Sequence, residues 1–385
     1  MKWLLSFLLF SAALFSGAVA GAQNVPSSAE AERQAAGDQI DDPGPLATKL
    51  SPKLKKSDIL KAVKKVADWQ LKESEGRYNI QWTYAALYDG LLATSKATGD
   101  LRYHDRVLQI ARENHWNLGP RPDHADDHHI GLTYLAFYSE KQDQERLAST
   151  REGMDKLLAR PDDPNKNLWW WCDALYMAPS VLAQLSIATG DQRYLDFMNH
   201  EWWVTSAALY DPAEHLYFRD NRYLTMHEAN GQKVFWSRGD GWVLAGLAMV
   251  LERMPATYPD RAKYVQQYRE LAERIAGLQQ SDGLWRASLL DPGAYPNPEI
   301  SGSAFFTYGM AWGMNHGILD RKKYMPVVTR AWRGMLGHVY ESGRLGSIQP
   351  IGAEPGKFKP SSSYVYGVGA FLLAGSELSE LSQKK

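Results

Sequence analysis

Asp173 stands directly behind three consecutive tryptophans, Trp169 to Trp171, and the chain's single cysteine, in the run NLWWWCDALYMAPS. A carboxyl walled by indole rings loses hydration, which raises its pKa and lets it hold a proton near neutral pH. Pro179 removes a backbone donor and clashes with the carbonyl four residues back, so a helix starts or kinks close by. Asp173 therefore lies near a helix N-terminus, where the dipole opposes the burial effect and simple capping is the plainer alternative. In FWSRGDGWVLAGL, Arg238 sits between Trp236 and Trp242, with Gly239 and Gly241 beside it. A guanidinium fork pairs bidentately with a carboxylate, and flanking aromatics would dehydrate the pair. Asp240 in the same run is expected to cap the helix that follows.

Two further segments enter apolar helices. PDHADDHHIGLTY offers His124, Asp126, Asp127, His128 and His129. No second Cys/His cluster completes a zinc set, so no metal is expected. A carboxylate here suits a partner for Asp173, since paired acids serve general acid/base work. Adjacent residues cannot both face one site, so Asp126 and Asp127 divide that role and helix capping between them. PNPEISGSAFF carries Glu299 and Ser301 into the last of these helices, for sugar hydroxyls or for ordinary capping.

The elements that must hold these groups are helical. After Asp58, Ile59, Val63, Val66 and Leu71 fall near one face, and similar periods continue to the C-terminus, giving eleven or twelve helices. The run ATGDLRY at Ala97–Tyr103 recurs as ATGDQRY at Ala188–Tyr194. Each marks a helix end, a Gly-Asp turn and a new helix. Repeated helix hairpins cannot bury their apolar faces singly and must stack or close into a ring. The Gly- and Trp-rich loops precede the more apolar helices, as they would at one mouth of an (α/α)6 barrel, and that all-α fold is the expectation. Leu50 onward reads as one domain, residues 50–385.

Composition narrows the function. Of 385 residues, 44% are hydrophobic and 23% charged, with net charge −1, so nothing favours nucleic acid or an anionic membrane. Fourteen Trp and twenty Tyr are compatible with sugar stacking or with a large helical core. The first 22 residues combine Lys2, an apolar run and the small-x-small site Ala18-Val19-Ala20, an expected signal peptide cut after Ala20 or Ala22. With Cys172 alone, no intramolecular disulfide can form, which suits a bacterial periplasm or exterior. Residues 23–49 read as a flexible leader.

The segments WCDALYMAPS, VFWSRGDGWVLAGL, ISGSAFFTYGMAWG and YGVGAFLLAGSE resemble glycoside hydrolase family 105, the unsaturated rhamnogalacturonyl hydrolases, relatives of the family 88 unsaturated glucuronyl hydrolases. The resemblance runs from Asp58 to Leu378. It implies an (α/α)6 barrel, no cofactor, and an oligosaccharide substrate ending in a 4,5-unsaturated uronic acid. The implied reaction protonates carbon 4 of the enol ether and adds water at carbon 5. Asp173 matches the catalytic acid/base, Asp126 or Asp127 a second aspartate, and Trp171, Trp236, Arg238 and Trp242 substrate-binding positions. Arg238 is expected to grip the uronate carboxylate. Family members carry a histidine in the loop after the Asp motif; here EHLYFRDNRY puts Tyr217, Phe218 and Arg219 at that place, with His215 nearby. Tyr217, His124 and Ser301 complete the expected substrate contacts. Two other readings are an inverting glycosidase, needing carboxyls about 6.5–9.5 Å apart, and a non-catalytic glycan-binding protein. The oligomeric state is not read from the sequence.

Overall fold

The computed structural model describes residues 28–161, 163 and 166–384. The expected signal peptide lies outside them. The chain opens with α1 (Ser28–Ala36) and β1 (Gly37–Asp38), then runs through α2 (Lys56–Glu73), α3 (Trp82–Thr98), α4 (Leu101–Glu113), α5 (Ala125–His128), α6 (Ile130–Glu140) and α7 (Glu145–Ala159). Next come α8 (Ala174–Met177), α9 (Pro179–Thr189), α10 (Arg193–Leu209), the hairpin β2 (Tyr210–Asp211) and β3 (Leu216–Tyr217), and α11 (Ser237–Arg253). The chain finishes with α12 (Arg261–Gly277), α13 (Ile300–Asn315), α14 (Arg321–Leu336), β4 (Ser363–Tyr364) and α15 (Val365–Leu381).

Helix contacts close a ring: α3 touches α6, α6 touches α9, and α9, α11, α13 and α15 follow in turn until α15 meets α3 again. Outside it, α4, α7, α10, α12 and α14 each pack on the inner helix next to them in the chain, and α2 packs on α3 and α15. This is the (α/α)6 barrel expected, built from outer–inner hairpins. The reason is visible in composition. The inner helix α13 is buried at every position from Ile300 to Met314, whereas outer α4 buries Tyr103, Val107, Ile110 and Ala111, a single stripe. Each fully buried large apolar side chain contributes roughly 1.5–3 kcal/mol. Inner helices approach closely where glycines meet: a Cβ on Gly90 of α3 would lie 2.5 Å from the Gly369 carbonyl oxygen of α15.

Short turns join each inner helix to the next outer one. In both ATGD repeats the glycine takes a left-handed conformation, φ 73° at Gly99 and 72° at Gly190, which glycine adopts without a Cβ penalty. The following tyrosines reach the preceding outer helix: Tyr103 donates to Asp68 at 2.7 Å and Tyr194 to Asp155 at 2.5 Å. The long outer-to-inner loops gather at the opposite mouth, where the inner helices begin. No described helix is long and apolar enough to cross a membrane.

One segment departs from expectation. Residues 28–49, within the stretch read as a flexible leader, are laid against the barrel. β1 pairs antiparallel with β4 through Gly37–Tyr364 and Asp38–Ser363, Leu46 bridges Tyr340, and Ala36 is fully buried. Only glycine fits at 37, because a Cβ there would meet the Ser363 carbonyl. Its polar, Ala-rich composition hides this, since backbone pairing needs no apolar pattern.

Candidate active site

The mouth formed by the inner-helix N-termini holds a cluster of partly satisfied charges. Asp173 immediately precedes α8; its side chain is 13% exposed and makes no capping bond. One carboxylate oxygen lies 3.3 Å from Arg219 Nε and 3.6 Å from Cys172 Sγ. Backbone pairing brings Arg219 there: the Cys172 amide donates to the Arg219 carbonyl at 2.8 Å, and Trp171 bridges Asp220. Asp220 fixes the guanidinium from behind by accepting from Arg219 at 2.7 Å and from Arg222 at 2.9 Å, and Trp170 lies under it with its ring centre 5.4 Å away. Burial pushes the Cys172 thiol up, so it remains a thiol.

The neighbouring carboxylates take different parts. Asp127 is spent on structure: it accepts from the Arg121 amide at 2.6 Å and from the Arg121 guanidinium at 3.0 and 2.6 Å. Gly119 packs against its Cβ so closely that any side chain there would collide. Asp126 instead makes only longer approaches, 3.6 Å to His124 Nδ1 and 3.8 Å to Arg121. Burial and then the charge of Asp173 push its carboxyl up to about 7. His124 packs on Trp171, ring centres 4.6 Å apart, and burial followed by Arg121 holds its imidazole down to about 4. It stands as a neutral plate beside the acid pair. The expectation thus separates: Asp126, Asp173, His124 and Trp171 come together, and Asp127 does not face them. Among the described residues no group of three or more His, Cys, Asp or Glu could hold a metal ion.

The second motif is a knot. Arg238 is 1% exposed; its guanidinium donates to the Gln349 carbonyl at 2.7 Å and the Pro350 carbonyl at 2.8 Å. It lies over the rings of Trp236 and Tyr366 at 4.3 and 4.9 Å. Trp236 donates to the Gln349 side chain at 2.9 Å. Glu299 caps α13 through the amides of Ser301 and Gly302, and also takes the Ser301 hydroxyl and the Gln349 amide. Ser301 is fully buried in this arrangement. Trp242 is buried between Tyr176 and Phe305, at 4.6 and 4.2 Å. Asp240 is not a cap: it accepts the Tyr217 amide at 2.8 Å, and burial holds its carboxyl well above the usual range. Tyr217 itself points inward, its hydroxyl 2.6 Å from Ser206, and His215 lies outside on Tyr210. Arg219, two residues on, is the side chain of that loop that reaches Asp173.

Trp82 was not singled out from sequence. At the start of α3 it stacks on Tyr366 at 5.3 Å and meets Trp242 edge-on at 6.1 Å. Its indole N–H donates to Glu32 of α1 at 2.8 Å, so the N-terminal arm reaches the mouth. The only sequence signal for this was another tryptophan at a helix start.

The profile described as Glycosyl Hydrolase Family 88 matches residues 42–382. The chain belongs to this family. It is 38% identical over 317 residues to the unsaturated 3S-rhamnoglycuronyl hydrolase of an Alteromonas species, covering 77% of each chain. It is 38% identical over 353 residues to a protein of the same name from Formosa agariphila, covering 86% of this chain and 93% of the relative. A solved glycosyl hydrolase of family 88 from Bacteroides vulgatus superposes with TM-score 0.81 at 31% identity, over 85% of this chain and 99% of that one. This family 88 member is a glycoside hydrolase. Residues 28–41 of its arm lie outside the family match.

Proposed function

We propose that this family 88 hydrolase releases a non-reducing-end 4,5-unsaturated uronic acid from oligosaccharides by hydrating the enol ether, with Asp126 and Asp173 as its acid/base pair. The observation that carries the reading is a pair of neighbouring carboxyls with an arginine beside Asp173, in which burial and then the charge of Asp173 raise Asp126 to about 7. Arg219 lies 3.3 Å from one oxygen of Asp173, and Asp126 keeps its proton below about pH 7. As a substrate carboxylate takes the Arg219 fork, Asp126 passes its proton to Asp173. Its proton goes to carbon 4, leaving positive charge on carbon 5 shared with the ring oxygen. Water attacks carbon 5 as its proton returns to the carboxylate. The resulting hemiketal opens to a ketone at carbon 5, and the hemiacetal left at carbon 1 expels the alcohol of the next sugar. Trp170, the exposed member of the run, offers an apolar face to a flattened ring, with Trp171 buried behind it.

The curated relatives are named for rhamnoglycuronyl units, and that unit is the first substrate to assay, ahead of a rhamnogalacturonyl one. Incubation with lyase-generated oligosaccharides should abolish the ultraviolet band of the conjugated double bond. Label from ¹⁸O water should appear at carbon 5 and not at the anomeric carbon. Label at the anomeric carbon, with the double bond retained, would overturn the hydration reading in favour of direct glycosidic hydrolysis. The basic, apolar and small-residue pattern of residues 1–22 supports export to the periplasm or exterior, checked by fractionation of the native host.

A further inference from the structure

Both candidate carboxylates ride on one-turn helices. Asp126 lies in α5 and Asp173 immediately precedes α8, and each of these helices spans four residues. A single turn has little stability of its own, so tertiary contacts must set its orientation. Three residues after Asp126 stands His129, and three after Asp173 stands Tyr176, so each occupies the next turn on the same face as its carboxylate. Both converge on one oxygen. Asp89 Oδ2, from the inner helix α3, accepts from His129 Nε2 at 2.8 Å and from the Tyr176 hydroxyl at 2.7 Å. The other imidazole nitrogen of His129 faces the Met177 carbonyl at 3.0 Å, which ties the end of α8 back to the start of α6. The two rings pack at 4.8 Å. His129 is fully buried and the Asp89 side chain 8% exposed.

We propose that Asp89 is a positioning residue: a single carboxylate that fixes Asp126 and Asp173 relative to each other through His129 and Tyr176. It touches neither substrate nor the reacting atoms. Its part is to keep two like-charged groups close enough to share a proton, against the repulsion that would part them. The inference rests on the acid/base reading above. A carboxylate with two donors also stabilises the core, so the test must separate geometry from stability.

Asp89→Asn keeps shape but removes the charge and one acceptor. Loss of fine placement at a reacting centre costs up to about a hundredfold. The expected result with unsaturated oligosaccharide is a fall in kcat of about ten- to a hundredfold, with KM changed less than about threefold. The alkaline limb of kcat/KM should move to lower pH, because a more distant Asp173 no longer holds up Asp126. The other charged or titratable groups facing Asp126 are Arg121, Asp127 and His124 from its own loop and turn, and Glu32 from α1; none of them is altered. Tyr176→Phe, which removes one of the two bonds and keeps the ring, should give a smaller change of the same kind. If Asp89→Asn fails to fold, Tyr176→Phe decides. A folded variant with wild-type kcat and an unmoved limb, or a lowered Tm with unchanged kinetics, overturns the positioning role. Absence of wild-type action on the unsaturated substrate would instead overturn the function. Wild-type action that is lost in Asp173→Asn but intact in Asp89→Asn sinks the clamp alone.

Discussion

Two charged clusters sit at the same mouth of the barrel and have opposite characters. Around Arg238 and Glu299 most polar groups have a partner: two carbonyls for the guanidinium, three donors from the α13 start and the Gln349 amide for the carboxylate. Around Asp173 the contacts are longer, the charge of Asp173 raises the neighbouring Asp126, and Arg219 and Asp126 keep unused capacity. Buried polar groups that are satisfied rigidify a structure; those left short of partners are where chemistry has room. Both motifs look alike as sequence, an ionisable residue among tryptophans. What separates them is where the backbone carbonyls of distant loops arrive.

The largest effect should come from the open cluster. Asp173→Asn is expected to lose on the order of 10²–10⁴ in kcat while its Tm stays near wild type. A purified, folded variant with more than about a tenth of wild-type turnover would remove Asp173 from the chemistry. Next, Arg219→Lys keeps charge but loses the planar fork. A charge-assisted hydrogen bond is worth about 1.5–3 kcal/mol, so kcat/KM for the charged substrate should drop about ten- to a hundredfold. A substrate analogue with its carboxylate reduced to an alcohol should be nearly indifferent to the change. Arg238→Lys should behave otherwise. It should lower stability by about 1.5–3 kcal/mol, seen in thermal or urea unfolding, and affect charged and reduced substrates alike. Selective loss on the charged substrate would transfer the carboxylate site from Arg219 back to Arg238.

The pH profile sharpens the same contrast. The folded state raises Asp126 from the usual carboxylate range to about 7, so it holds its proton up to that point. His124 is depressed to about 4 and gains a proton only below it. Activity should therefore hold between these values and fall as pH rises through about 7. The sign for stability is the same: Asp126 gains protons on folding, so its contribution is fully present below the unfolded carboxyl pKa and is lost as pH rises toward 7. In Asp126→Asn the alkaline limb near 7 should vanish; a limb that survives unchanged belongs to another group.

Much of this was legible before any coordinates. Inner helices such as SAFFTYGMAWG are apolar all round and outer ones such as RYHDRVLQIARE have one apolar stripe, so the ring and the loop-bearing mouth follow from pattern and turn glycines. The site was legible in its residue types and less so in its partners. Asp126 and Asp127 are neighbours on one turn, about 100° apart, and only the packing of Gly119 and Arg121 tells which points where. Arg219 reaches Asp173 through backbone pairing between distant segments, and Arg238 is claimed by carbonyls more than a hundred residues away. Side-chain pattern carries no trace of such bonds. The arm's pairing to β4 is a backbone bond of the same kind.

The smallest expected effect concerns that arm. β1 anchors it firmly to β4, but α1 is held to the barrel chiefly by Glu32 on the Trp82 indole at 2.8 Å and by the Tyr84 hydroxyl on the Ala35 carbonyl at 3.1 Å. Glu32 is also an anionic group close enough to raise both Arg121 and Asp126. An anionic substrate must approach this charge. Glu32→Gln keeps the side-chain length and can still accept from Trp82 while removing the repulsion. KM for the charged substrate should fall about two- to threefold at low salt, with kcat little changed. The difference should shrink as ionic strength rises, since exposed charges are screened beyond about 8–10 Å at physiological salt. The reduced analogue should show no such change. A kcat effect equal on both substrates would instead mean that Glu32 acts by holding the Trp82 ring, and would join the arm to the rigid cluster rather than to the open one.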